Sequence, residues 1–190
     1  MKKTFGIFGG TFDPPHVGHV MAVDFVLLTS ELDRVFVIPC ANHPFGKNHE
    51  PFEHRMDMCH RAFSHLGEQV EILDIEGRRH GPSYTVDTVR ELRERYPDAD
   101  FVLIVGSDIR DELDQWKEVD ELKKMVTIRM LPRLEENTSE KESDQDSPFY
   151  LPRVSSSSLR RMLARGEMEK LGTRLPHTVI DYIQEHNLYT

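Results

Sequence analysis

Short apolar runs separated by stretches with apolar residues three and four apart constrain this chain more than any other feature. Phe5, Ile7 and Phe8 lie in one such run, Val35 to Ile38 in a second and Phe101 to Val105 in a third. Runs this short, bounded by turn residues, read as strands buried on both faces, and such strands belong to parallel sheets covered by helices on either side. Between them, Met56, Cys59, Ala62, Phe63 and Leu66 share one helical stripe, as do Val86, Val89, Leu92 and Tyr96. The pattern predicts strands over 4–8, 34–38, 70–75, 101–105, 126–131 and 149–154. Helices are expected over 17–32, 52–66, 84–96, 111–125, 155–164 and 176–186.

Strands alternating with helices of this length argue for βαβ units. The expected fold class is α/β: a Rossmann-like, doubly wound, mainly parallel sheet with helices on both faces and a C-terminal helical segment. At 190 residues the chain is long enough for a sizeable core and is expected to form a single domain over 1–190. Residues 134–147 carry six carboxylates and one lysine and almost nothing apolar. With little surface to bury against the entropy of ordering, that segment is expected to be a mobile acidic loop.

Several function classes drop out on composition. The apolar runs fall far short of the ~20 residues that span a bilayer, so no membrane association is expected. Lys2 and Lys3 lead directly into a strand without a signal-type apolar stretch, and Cys40 and Cys59 form no disulfide pattern. A cytoplasmic location is therefore expected. The net charge of −9 also weighs against nucleic acid as a partner, which calls for a basic face.

The string from Gly9 to His19 carries the most chemistry. It reads Gly9, Gly10, Thr11, Phe12, Asp13, Pro14, Pro15, His16, Val17, Gly18, His19, between the first strand and the first helix. Ligands of open α/β sheets bind at the carboxyl ends of the strands. Glycines there let backbone approach a phosphate, and the helix N-terminus offers N–H groups and a positive dipole end. His16 and His19, three apart, share a face of the first turn and can donate to phosphate oxygens. Late in the chain, Val154, Ser155, Ser156, Ser157 and Ser158 precede Leu159 and Arg160. This is a strand end feeding a helix N-terminus, with hydroxyls, N–H groups and a guanidinium converging. A serine run alone is more often a linker or a helix cap.

Together these two segments resemble the H-x-G-H nucleotidyltransferase superfamily. The middle of the chain is similar to its bacterial nicotinate-nucleotide adenylyltransferases, in Pro82 to Thr88, in Val105 to Asp108 followed by Trp116, and in Leu175-Pro176 through Tyr182-Ile183 to Leu188-Tyr189. The resemblance spans nearly the whole chain except 134–147. It departs in two places. The family's loop after the second strand has a histidine where Phe45 stands, with a cation displaced here to Lys47. The family's Arg-Pro-Gly corresponds here to Leu131, Pro132 and Arg133.

The resemblance implies transfer of the adenylyl group of ATP to nicotinate mononucleotide, in NAD biosynthesis. It implies that His16, His19 and Arg160 are catalytic. Gly9, Gly10, Thr11, Phe12, Gly18, Gly106, Asp108, Val154, Ser155, Ser156 and Ser157 would complete the ATP site. Asp13, Lys47, Ser83, Tyr84, Thr85, Trp116 and Arg133 would meet nicotinate mononucleotide, with Trp116 stacking on the pyridine ring. Mg2+ is expected as the cofactor, held mainly through ATP phosphates, because no carboxylate cluster of metal-ligand type stands out. His49, His54, His60 and His65 lack the paired spacing of a zinc helix. Asp108 also reads as a cap of the following helix, and the segment Ser83-Tyr84-Thr85 likewise. Three readings stay open: an acceptor that is the amide, nicotinamide mononucleotide, or both; a nucleotide-binding regulator without turnover; and a homo-oligomer or a monomer.

Overall fold

The computed structural model describes residues 2–42, 49–132 and 150–190. Lys47, Arg133, Phe45 and the acidic segment 134–147 lie outside the described residues. Five strands, β1 (Thr4–Gly10), β2 (Arg34–Pro39), β3 (Val70–Ile72), β4 (Asp100–Gly106) and β5 (Thr127–Leu131), form one sheet in the order β3-β2-β1-β4-β5. Every pairing is parallel. Six α-helices accompany them among the described residues: α1 (Val17–Thr29), α2 (Phe52–Phe63), α3 (Thr85–Arg95), α4 (Val119–Met125), α5 (Ser156–Leu163) and α6 (His177–Glu185).

The period of two along each strand splits the core. Phe8, Val35, Val37 and Ile104 face one side and pack with α1, α2, α5 and α6. Phe5, Ile7, Phe36, Ile38, Phe101, Leu103 and Val105 face the other and pack with α3 and α4. The central strands are apolar on both faces because each face is covered, with each buried Phe or Ile contributing about 1.5–3 kcal/mol.

The chain walks outward from β1 through β2 to β3, then crosses back to β4 beside β1 and continues to β5. The loops leaving β1 and β4 therefore diverge, and the crevice opens at their carboxyl ends.

Four expected elements differ. The strand expected over 70–75 is paired only over Val70–Ile72, followed by one further bond from the Leu73 N–H to the Val37 carbonyl. Of the helix expected over 111–125, only the short 3-10 turn Leu113–Gln115 and α4 form, and α4 starts only after Glu118, which has a φ of 51°. Helix α2 stops at Phe63 and runs into the 3-10 stretch Ser64–Gln69. Of the strand expected over 149–154, the described part holds a single bridge at Leu151, whose N–H bonds the Pro132 carbonyl at 3.0 Å. Pro152 has no N–H with which to extend it. No helix among the described residues is long and apolar enough to cross a membrane.

Candidate functional site

A cavity of about 170 Å³ sits at the crevice between β1 and β4, lined by Gly9, Gly18, His19, Gly106, Asp108 and Trp116 among others. Pockets that enclose a whole small ligand hold about 300–1,000 Å³. This one suits a flat ring or part of a ligand whose remainder lies along the open crevice. An ideal Cβ built on Gly9 meets nothing within 4 Å, so glycine keeps open a space that a side chain would fill.

His16 is the N-cap of α1 and is 1% exposed. Its ring stacks on that of His19, with centroids 3.7 Å apart. The stack explains the residue between them: a Cβ on Gly18 would come within 3.1 Å of the His16 ring. The His16 N–H donates to Nδ1 of His19 at 3.2 Å. A neutral imidazole that accepts at Nδ1 carries its proton on Nε2. His19, half-buried and in the cavity wall, is thus fixed as an Nε2–H donor.

The segment from Ser155 to Arg160 is tied to the turn before α1. Ser155 caps α5, its Oγ accepting from the Ser158 N–H at 3.3 Å. Ser156 Oγ donates to the Pro14 carbonyl at 3.0 Å. Arg160 Nη1 donates to the Asp13 carbonyl at 2.7 Å, and its Nη2 reaches Ser157 Oγ at 3.3 Å. The N-termini of α1 and α5 are held side by side by these contacts, giving two positive dipole ends and a guanidinium at one place.

Of the residues expected on the acceptor side, Ser83, Tyr84 and Thr85 lie at the start of α3, whereas Trp116 lines the cavity. Within the expected cap segment Ser83-Tyr84-Thr85, Tyr84 is the N-cap, and it makes no side-chain cap bond. Ser83 instead exchanges bonds with the loop after β2: its N–H donates to the Asn42 carbonyl at 2.9 Å and its Oγ accepts from the Asn42 N–H at 3.3 Å. Asp108 lies inside the turn Ser107–Ile109, whose cap is Gly106, rather than capping it. Asp13 is fully buried, and its carboxylate faces protein groups: Tyr189, His49, the Glu50 N–H and Arg160.

Two residues were missed in the sequence reading. Arg55 on α2 is 2% exposed and donates to the carbonyls of Glu50 (2.9 Å), Thr11 (2.8 Å), Cys40 (2.6 Å) and Ala41 (3.4 Å). It pins the loops after β1 and β2 to one point. Its signal was readable: residues three, four, seven and eight further on are Met58, Cys59, Ala62 and Phe63, the buried stripe of α2. The other is Tyr189, whose hydroxyl donates to Asp13 Oδ1 at 2.7 Å. Burial, and then the Asp13 carboxylate, push that hydroxyl far above the ordinary tyrosine range, so it stays a donor. No three His, Cys, Asp or Glu side chains come together as a metal site among the described residues.

Residues 7–162 match the Cytidylyltransferase-like family. A protein of Shouchella clausii named probable nicotinate-nucleotide adenylyltransferase is 36% identical over 189 residues, covering 98% of this chain and 97% of the relative. One of the same name in Myxococcus xanthus is 36% identical, covering 96% and 93% respectively. Among solved structures, the Plasmodium falciparum nicotinic acid mononucleotide adenylyltransferase complexed with NaAD superposes with a TM-score of 0.80 at 23% identity, over 98% of this chain and 97% of that one. It shares the fold described above.

Proposed function

The chain belongs to the Cytidylyltransferase-like family and, within it, to the nicotinate-nucleotide adenylyltransferases, and from that membership we propose how its residues carry out adenylyl transfer. The reaction joins the adenylyl group of ATP to nicotinate mononucleotide, giving nicotinate adenine dinucleotide and pyrophosphate. The observation that carries the assignment of roles is the bond from the His16 backbone N–H to His19 Nδ1, which leaves Nε2 of His19 to donate from a cavity wall beside the joined N-termini of α1 and α5.

A phosphate oxygen of nicotinate mononucleotide attacks the α-phosphorus of ATP, and the bond to the bridging oxygen breaks as pyrophosphate leaves with the electron pair. The attacking phosphate is already an anion at neutral pH, so the chain need not supply a strong base. Alignment and neutralisation of developing charge remain. His19 donates to the α-phosphate, and His16 holds the His19 ring in place. The N–H groups at the start of α5, with Ser155, Ser157 and Arg160, hold the β- and γ-phosphates. Gly9, Gly10, Thr11, Phe12, Gly18 and Ser156 shape the floor, and Gly106 and Asp108 meet the ribose. A divalent cation, which we propose is Mg2+, would be held mainly through the ATP phosphates rather than by side chains and would supply further charge neutralisation.

On the acceptor side, the uncapped N–H groups of α3 near Tyr84 and Thr85 receive the nicotinate carboxylate, while Trp116 stacks on the ring. A carboxylate makes charge-assisted bonds to those donors, whereas one face of an amide turns donor against donor. The difference is worth ~2–4 kcal/mol, or roughly 30- to 1,000-fold in kcat/KM. Pyrophosphate release with ATP and each acceptor in parallel tests both statements. Turnover with the acid at a kcat/KM at least ~30 times that of the amide is expected. Equal values would remove the acid-selective reading, and no turnover with either would remove the reaction itself.

A further inference from the structure

Asp13 joins four separate segments of the chain. It is fully buried in the turn between β1 and α1, three residues before His16. Arg160 of α5 lies 3.5 Å from its Oδ2 and also donates to its carbonyl at 2.7 Å. From the loop before α2, His49 Nδ1 lies 3.2 Å from Oδ2, and the Glu50 N–H lies 3.4 Å from Oδ1. The fourth partner is Tyr189, beyond α6, at 2.7 Å from Oδ1.

Tyr189 reaches that point with a φ of 63°, close behind Asn187 at 51°. Side chains seldom adopt this left-handed backbone unless their surroundings hold them there. Here Leu188 is buried between them at 8% exposure, and the tyrosine ring carries its hydroxyl past Met58 to Asp13.

A buried carboxylate must have its lone pairs filled. Without the hydroxyl, Oδ1 keeps only the Glu50 contact at 3.4 Å, longer than an ordinary N–H···O bond of 2.7–3.2 Å. The carboxylate would then turn toward the strongest donor in reach, Arg160, and draw its guanidinium away from the phosphates. We propose that Tyr189 is a positioning residue for adenylyl transfer: its hydroxyl fixes Asp13, and through Asp13 both Arg160 and the turn that presents His16 and His19. The inference rests on the adenylyl-transfer reading of the site.

Tyr189→Phe removes the hydroxyl and keeps the ring. With ATP and nicotinate mononucleotide, kcat is expected to fall about tenfold and KM for ATP to rise about threefold, since small misplacements of catalytic groups cost large factors. Val179→Ala, at a fully buried position of α6, serves as the packing control. It should lower the melting temperature more than Tyr189→Phe does, yet keep kcat within about twofold. Adding Tyr189→Phe to Asp13→Asn should cost no more than about twofold beyond Asp13→Asn alone, because both act through one contact. The proposal is overturned by a Tyr189→Phe kcat within about twofold of the unsubstituted chain, by an equal loss in Val179→Ala, or by losses that multiply in the double variant. If the unsubstituted chain releases no pyrophosphate, the functional reading fails instead. Calorimetric titration of ATP then decides the positioning role, which needs a threefold weaker affinity in Tyr189→Phe.

Discussion

Replacing Arg55 with methionine keeps most of the aliphatic volume and deletes the guanidinium that holds two loops together. Three of its contacts, to the carbonyls of Cys40 (2.6 Å), Thr11 (2.8 Å) and Glu50 (2.9 Å), have good hydrogen-bond lengths, and the fourth, to Ala41 at 3.4 Å, adds little. Each carbonyl left without a donor costs ~1–3 kcal/mol. Against that stands the relief of no longer burying a cation, which is several kcal/mol. Entry of water at the loop surface offsets more. Set against ~3–9 kcal/mol for the three carbonyls together, these offsets leave ~2–4 kcal/mol. At roughly 2–4 °C per kcal/mol for a chain of this size, the melting temperature should fall by about 4–16 °C. Arg55→Lys keeps the charge but not the fork and should fall by about half as much. Thermal melts followed by circular dichroism, with urea titrations alongside, measure both. A methionine variant melting within about 3 °C of the parent would refute the idea that these carbonyls depend on Arg55.

His19→Ala should lower kcat by at least ~10²-fold while the helices persist by circular dichroism, because the lost donor acts on developing charge; near-normal turnover would rule out that role. Arg160→Ala should weaken ATP binding, measured by calorimetry, and slow the reaction, since a charge-assisted contact is lost; unchanged affinity and rate would show that Arg160 serves Asp13 alone. Alkaline pH should destabilise the fold. Burial above all, and then the Glu76 carboxylate, push the Cys40 thiol from 9.0 up to about 11. Burial, and then the hydrogen bond to Asp57, push the Tyr182 hydroxyl from 10.0 up to about 12. Both folded values exceed the unfolded ones, so the stability they contribute is complete below pH ~9 and is lost as pH climbs through ~9 to 12. Urea midpoints that stay level from pH ~8 to ~11 would contradict this.

The fold was legible because the pattern that encodes it is local. Phe5, Ile7, Phe36, Ile38, Leu103 and Val105 announce strands without reference to any partner, and their burial on both faces follows from the run of apolar residues. Strand ends were less legible where a neighbour decides them. Leu151 makes one bridge to the backbone at Pro132 and stops because Pro152 follows, although the apolar run favours a strand. The break before α4 is likewise set at Glu118, whose left-handed backbone no composition rule anticipates. There Arg90 pairs with both Glu118 and Asp87.

The site divides along the same line. The residues we propose to meet substrate are clustered in sequence, since one strand-to-helix turn supplies several groups at once: Gly9, Gly18 and His19 from one, Ser155, Ser157 and Arg160 from another. The groups that hold those turns are scattered, because cross-linking is useful only between distant segments. Arg55 bridges backbone from residues 11, 40, 41 and 50, and Tyr189 meets Asp13 across a separation of 176 residues. Such residues leave only an oblique trace in the sequence, a cation at the head of an apolar helical stripe or an aromatic beyond the final helix. Asp13 shows why the two classes must be told apart by structure: it stands inside the phosphate turn, and its carboxylate is buried toward the protein. Position in a binding motif and contact with a ligand are therefore separate properties, and a motif residue that is fully buried earns its place by fixing the geometry of its neighbours.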